Sequence, residues 1–234
     1  MNYWLVMPAA GTGRRFGTDV PKQYAPLEGR TVIDWALAPF LADRRCTQVI
    51  VALGHDDGSW QAPPGVLTTT GGAQRSQSVR AGLAAIEGRA GQHDWVLVHD
   101  AARPCLDRAD LDRLLLGVAE HPVGGLLGVR YADTLKRADE SRGEALPAQV
   151  LKTEERRGLW RALTPQMFRF AALCAALDAA HAAGRFPSDE AQALEWAGAR
   201  ALLIEGAATN LKVTTADDLT LAAAVLRARG AAAR

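Results

Sequence analysis

The sequence predicts an α/β fold, a single domain built on one mostly parallel, doubly wound sheet with a polar two-stranded arm protruding from it. Apolar runs of strand length alternate with segments of helical periodicity, the pattern of βαβ units. The runs are near-continuously apolar, as strands covered on both faces are. The 234 residues fit one such unit, because α/β domains extend to roughly 250 residues.

In chain order, "YWLVMPA" (3–9) is the first predicted strand, and an irregular stretch runs from Pro8 to about Gly29. "TVIDWALAPFLA" (31–42) has apolar residues at three- and four-residue spacing and predicts a helix. Strands follow at "QVIVAL" (48–53) and "VLTTT" (66–70), then a helix at "SQSVRAGLAAIEG" (76–88) and a strand at "WVLVHD" (95–100). "LDRADLDRLLLGVAEH" (106–121) is helical in pattern, and "GGLLGVRY" (124–131) is a strand. Beyond the arm come helices at "FAALCAALDAAHAAG" (170–184) and "SDEAQALEWAG" (188–198), a strand at "ALLIEG" (201–206) and a helix at "TTADDLTLAAAVLRARG" (214–230). Ser188 and Thr215 stand as N-caps before acidic first turns, and Gly184, Gly198 and Gly230 as C-caps.

The segment 131–160 breaks the alternation. It is polar, has the turn-like "ESRGE" in its middle, and predicts two short strands around that turn. A two-stranded ribbon is marginal alone in water, so it is expected to pack on another chain or a ligand. The domain organisation is therefore one unit over 1–234 with an arm at about 131–156.

The formal net charge of +1 argues against a nucleic acid or an acidic membrane surface as partner. Cys46, Cys105 and Cys174 are odd in number and far apart, which gives neither a disulfide framework nor zinc spacing. No apolar run approaches the roughly 18 residues of a membrane span, and no signal-peptide pattern is visible, so a cytoplasmic protein is expected.

The loop "GTGRRFG" carries Gly11, Gly13 and Gly17 with the cations Arg14 and Arg15, and Lys22 follows. It is not a dinucleotide fingerprint, because the third glycine falls one residue late, and it lacks the lysine of a P-loop. Ordinary βα connections run about 2–6 residues, so an irregular stretch this long points to function. The cations suit a nucleoside triphosphate better than a pyrophosphate bound by backbone amides. Pro21 fixes the backbone before Lys22, and two cations aimed at one phosphorus suggest stabilisation of a transition state.

In a doubly wound sheet, ligands bind beyond the carboxyl ends of the strands. His99, Asp100 and Arg103 follow one strand, and Asp100 stands where phosphate enzymes place a Mg²⁺ or substrate ligand, with a helix cap as the alternative. His99 reads as a packed residue, since no Ser or Cys partner is evident. Gly71 and Gly72 permit close backbone approach before Arg75 and Ser78 at a helix start, where a base edge can be read. Lys212 follows the 201–206 strand.

The stretches "PAAGTGRRFGTDVPKQY", "GGAQRSQSV", "VLVHDAARP", "ALTPQMF", "SDEAQALE" and "TNLKVTTADDL" together resemble, in order and spacing, the 2-C-methyl-D-erythritol 4-phosphate cytidylyltransferase family of the non-mevalonate isoprenoid pathway. The resemblance spans nearly the whole chain. It implies a Rossmann-like fold of the nucleotide-diphospho-sugar-transferase type and a Mg²⁺-dependent transfer of CMP from CTP to methylerythritol phosphate, releasing pyrophosphate. Carried over, Ala9, Ala10, Gly11 and Gly13 wrap CTP, and Arg15 and Lys22 stabilise the transition state. Gly72, Ser78 and the backbone at Ala73 read the cytosine, while Asp100 and Arg103 contact the acceptor or, at Asp100, the metal. The arm implies a homodimer in which Thr134 and Arg156, or the adjacent Arg157, complete the neighbour's acceptor site, with Lys212 positioning the acceptor phosphate. Two other readings stand beside it: a cytidylyltransferase for another polyol or sugar phosphate such as ribitol 5-phosphate, and a nucleotide-binding regulator without chemistry.

Overall fold

The computed structural model describes residues 1–11, 21–55, 57, 60–139 and 147–232. In chain order these form β1 (Tyr3–Pro8), a one-turn 3-10 helix (Lys22–Tyr24), β2 (Pro26–Leu27), β3 (Arg30–Thr31), α1 (Val32–Leu41), β4 (Cys46–Leu53), β5 (Val66–Thr70), α2 (Arg75–Ala84), β6 (Trp95–Val98) and α3 (Arg108–Val118). Then come β7 (Gly124–Arg130), β8 (Leu135–Ala138), β9 (Val150–Glu154), β10 (Trp160–Arg169), α4 (Phe170–Ala182), α5 (Glu190–Trp196), β11 (Leu202–Glu205) and α6 (Ala216–Ala232).

Seven strands make the main sheet, in the order β11-β7-β10-β6-β1-β4-β5. Neighbours are parallel except on the two sides of β10, which runs antiparallel to β6 and β7. Side chains alternate across β1. Tyr3, Leu5 and Met7 join α1 and α3 in one core, and Trp4 and Val6 join α2, α4 and α5 in the other. Both faces are thus covered, which is why the strands read as unbroken apolar runs. A third, smaller core lies under α6, around Leu27, Val32 and Val213.

The chain steps from β1 outward to β4 and β5, then crosses to β6 on the other side of β1. This reversal is the topological switch point, and it opens a crevice at the carboxyl ends of β1 and β6. A Cβ on Gly82 of α2 would stand 2.4 Å from Val6 Cγ1, so glycine lets that helix lie close on β1.

Several expectations change in detail. The Pro8–Gly29 stretch is not irregular throughout, because its described end holds the 3-10 turn and the β2–β3 hairpin, whose polar residues hide the pattern. β10 has no counterpart among the predicted strands; Pro165 interrupts its apolar run. The cap of α5 is Asp189 rather than Ser188: its carboxylate accepts from the Gln192 amide at 2.9 Å, while the Ser188 amide donates to Gln192 Oε1. Gly230 lies inside α6 and ends nothing. Thr215, Gly184 and Gly198 keep their expected roles, with Thr215 Oγ1 accepting from the Asp218 amide and both glycines at positive φ.

β8 and β9 pair with each other in a separate antiparallel ribbon, as expected of the arm. The "ESRGE" turn lies outside the described residues. The three cysteines are free thiols, and burial pushes Cys105 and Cys174 up to about 11, so they stay protonated and inert.

Candidate active site

A cleft opens at the switch point. Its walls are the Pro8–Gly11 segment after β1, Lys22 and Gln23, the Gly72–Arg75 turn before α2, and the Asp100–Ala102 turn after β6. A second cleft abuts it, lined by Arg103, Ala162–Thr164 and Gln166 of β10, and Ser188 and Asp189. The two share a wall of three charged side chains, Arg75, Asp100 and Lys212.

Asp100 is the hub of that wall. It is 6% exposed, accepts from Arg75 Nε at 2.8 Å through Oδ1, and meets Lys212 Nζ at 2.8 Å through Oδ2. Arg103 Nε lies 3.7 Å from the same Oδ2. Burial alone would raise its pKa, but Arg75, Lys212 and Arg103 together hold it well below the carboxylate range. Asp100 caps no helix here; α3 is capped by Asp107, which accepts from the Ala109 amide.

Arg75 also donates to Glu190 through Nη1 at 2.6 Å and Nη2 at 3.1 Å. Glu190, the first residue of α5, is fully buried, and burial pushes its carboxyl up while Arg75 opposes this. One guanidinium thus ties the β6 turn to α5. Sequence spacing held no sign of this link, because Glu190 is 115 positions away.

His99 is buried and held at both ring nitrogens. The Arg103 carbonyl at 3.1 Å from Nε2 can only accept, so Nε2 carries the proton and Nδ1 accepts from the Thr164 hydroxyl at 3.0 Å. Thr164 Oγ1 accepts in turn from the Asp100 amide. Burial lowers His99 to about 4, so it is the neutral, packed residue expected.

Arg103 is 8% exposed; it donates to the Asn210 carbonyl at 2.8 Å, and its Nε makes no hydrogen bond among the described residues.

The other expected nucleotide contacts converge. Ala9, Ala10, Gly11, Gly72, Ala73, Ser78 and Lys22 all line the first cleft. Ser78 is buried, and its hydroxyl accepts from the Gly72 amide at 3.2 Å, so it shapes the turn. Gly71 is required by packing, since a Cβ there would stand 2.7 Å from Ala10 Cβ and 2.7 Å from Ser78 Oγ. Gly13 and Arg15 lie outside the described residues. Thr134 and Arg156 stand at the arm, outside the lining of either cleft, with Arg156 Nη1 donating to the Ala132 carbonyl.

A family model described as IspD, 2-C-methyl-D-erythritol 4-phosphate cytidylyltransferase, matches residues 3–228. The chain belongs to this family. A relative of that name from Halorhodospira halophila is 49% identical over 239 residues, covering 98% of this chain and 96% of its own. Another from Ectopseudomonas mendocina is 48% identical over 223 residues, covering 93% and 92%. Among solved structures, the 2-C-methyl-D-erythritol 4-phosphate cytidylyltransferase of Francisella tularensis superposes with a TM-score of 0.82 at 32% identity, covering 96% of this chain and 100% of its own. That of Thermus thermophilus gives 0.79 at 32% identity, covering 97% and 100%. Among the described residues, no helix is long and apolar enough to cross a membrane.

Proposed function

We propose that this chain transfers CMP from CTP to the phosphate of 2-C-methyl-D-erythritol 4-phosphate, giving 4-diphosphocytidyl-2-C-methyl-D-erythritol and pyrophosphate, as a step in making isoprenoid precursors. The observation that carries the reading is the wall of Arg75, Asp100 and Lys212 shared by two clefts. A nucleotide in one and a phosphate acceptor in the other meet across it.

An oxygen of the acceptor phosphate attacks the α-phosphorus of CTP. The new P–O bond forms as the bond to the bridging oxygen of the β-phosphate breaks, and pyrophosphate leaves with that electron pair. The acceptor oxygen is already anionic, so no general base is needed, and His99, neutral and buried, supplies none. Catalysis is positioning plus charge stabilisation. Lys22, on the nucleotide cleft, acts on the reacting phosphorus, the role the family resemblance also gives to Arg15. Lys212, half-exposed on the shared wall, and Arg103, which lines the second cleft, hold the acceptor phosphate.

Mg²⁺ would be held mainly by the triphosphate, because both oxygens of Asp100 already meet Arg75 and Lys212. Such an ion takes one or two carboxylates and completes its shell with phosphate oxygens and water. Asp100 is the one carboxylate lining the nucleotide cleft among the described residues, and these hold no cluster of three or more His, Cys, Asp or Glu side chains. When bound, the ion would neutralise charge on the phosphate oxygens.

The active form we propose is a homodimer in the cytoplasm. The β8–β9 ribbon stands apart from the main sheet and exposes Val150 at 64% and Leu151 at 60%, apolar surface suited to a second copy. Thr134 and Arg156 would then reach the partner's acceptor cleft.

The test is pyrophosphate release from CTP with methylerythritol phosphate, using ATP and UTP as nucleotide controls and ribitol 5-phosphate as the rival acceptor. Turnover confined to CTP and methylerythritol phosphate is expected. Faster turnover of ribitol 5-phosphate would transfer the assignment to that acceptor.

A further inference from the structure

Gln23 is a polar side chain buried to 4% exposure beside a catalytic lysine, and the mechanism above leaves it unused. It sits in the 3-10 turn Lys22–Tyr24, and its side-chain amide reaches back to the segment that follows β1. Nε2 donates to the Ala9 carbonyl at 2.8 Å and to the Gly11 carbonyl at 3.0 Å. Both partners are carbonyl oxygens, which only accept, so the amide nitrogen must face them.

One side chain thus fixes two peptide planes on the wall of the nucleotide cleft. In a trans peptide, the carbonyl of one residue and the N–H of the next point in opposite directions. The Ala9 carbonyl aims at Gln23, so the Ala10 N–H is turned away from it. That N–H makes no hydrogen bond to any described residue, and Ala10 lines the cleft. Ala9 cannot rotate to compensate, because its own amide continues the β1–β4 ladder by donating to the Ala52 carbonyl at 2.8 Å. The same turn carries Lys22, and Tyr24 anchors its far side through a 2.5 Å hydrogen bond from its hydroxyl to Asp57.

We propose that Gln23 is a positioning residue for the nucleotide phosphates: its amide locks the 9–11 backbone so that the Ala10 N–H presents to a phosphate oxygen, and it holds Lys22 at a fixed distance from that donor. This rests on the CTP reading above. Gln23 touches no reacting atom in this role; it acts through the backbone it clamps.

The test is steady-state kinetics on Q23M, which keeps side-chain length and loses both donors. A hydrogen bond to a charged group is worth enough that misaiming one weakens binding about tenfold. The KM for CTP is expected to rise about tenfold, with the KM for methylerythritol phosphate and the inhibition constant of cytidine each within about twofold of wild type. Cytidine has the base and ribose but no phosphate, so a general collapse of the cleft would weaken cytidine and CTP alike. Equal weakening of both, or an unchanged KM for CTP, overturns the proposal. Q23E serves as second variant, and as the sole one if Q23M does not fold. It sets an anionic acceptor against two carbonyls, and it must raise the KM for CTP at pH 8 while sparing cytidine. Wild-type turnover in the same plate separates this result from the substrate assignment: an inactive wild type would overturn the assignment itself.

Discussion

Arg75 meets two buried carboxylates along one guanidinium, Asp100 at Nε and Glu190 at the two terminal nitrogens. Neither contact is a surface ion pair, because Asp100 and Glu190 are both buried and Arg75 is largely so. Breaking such a pair leaves a buried charge uncompensated, at a cost of about 3–5 kcal/mol. In Glu190→Gln, however, Arg75 keeps Asp100 and burial already disfavours the Glu190 charge, so the loss is expected near that of one charge-assisted hydrogen bond, about 1.5 kcal/mol, read from the urea midpoint at constant m-value. An unchanged midpoint would show that α5 does not depend on this link. Lys22 poses the opposite case, since it lines the cleft from a partly exposed position and, in the mechanism we propose, its charge acts in the transition state. By analogy with an oxyanion-hole donor, Lys22→Ala is expected to raise the barrier by about 2.7–4 kcal/mol. The loss should fall on kcat while the melting temperature holds, and a wild-type kcat would remove Lys22 from the chemistry.

The β6–α3 turn depends on a neutral histidine. His99 sits between the Thr164 hydroxyl and the Arg103 carbonyl, and protonating Nδ1 would turn a donor toward that hydroxyl's own proton. Its folded pKa of about 4 lies below the ordinary 6.5. As pH falls from about 6.5 to about 4, the unfolded chain takes up a proton that the native state refuses, so stability falls by about 3 kcal/mol across that window. Asp100 contributes in a separate window, because its pKa is depressed and its stabilisation is lost only below the ordinary 3.8. Melting temperature measured from pH 7.5 to 4.5 should drop in wild type, and a His99→Gln variant, though less stable throughout, should drop less. Parallel curves would mean that His99 is not the titrating group.

The same elements show what a single sequence reveals. The strands β1, β4, β6 and β7 were legible because two-sided burial makes them largely apolar, while the edge strands β5 and β11, half-exposed, showed only as short β-branched or aliphatic runs. β10 was not, since it arrives from the polar arm with exposed residues at its start and Pro165 inside it. Asp100, Lys22 and Lys212 were legible as charges at strand ends or in a loop too long to be a plain connection. Glu190 was hidden because an acid in a helix's first turn is ordinary, and only the fold shows that it points inward to Arg75. Gln23 was hidden for a similar reason: an amide's worth depends on which two carbonyls it faces.

At the scale of the whole molecule, the question is whether one chain makes a complete site. Lys22, Asp100 and Lys212 come together on one chain, while Thr134 and Arg156 stand at an arm that lines neither cleft. If the arm serves the partner's cleft, each site takes its nucleotide half from one chain and its arm from the other. Two inactive variants, Lys22→Ala and Arg156→Ala, then carry complementary defects. In a mixed dimer, one site has both lesions and the other has neither. Random exchange makes about half the dimers mixed, so the pool should recover about a quarter of wild-type activity under a closed two-fold assembly. The measurement is pyrophosphate release after the purified variants are mixed under conditions that permit subunit exchange, against each variant alone. Recovery to that level places Arg156 in the partner's site. Activity no higher than the average of the two variants would mean that Arg156 acts on its own chain or not at all. The same mixture made with Arg157→Ala decides which of the adjacent arginines reaches across.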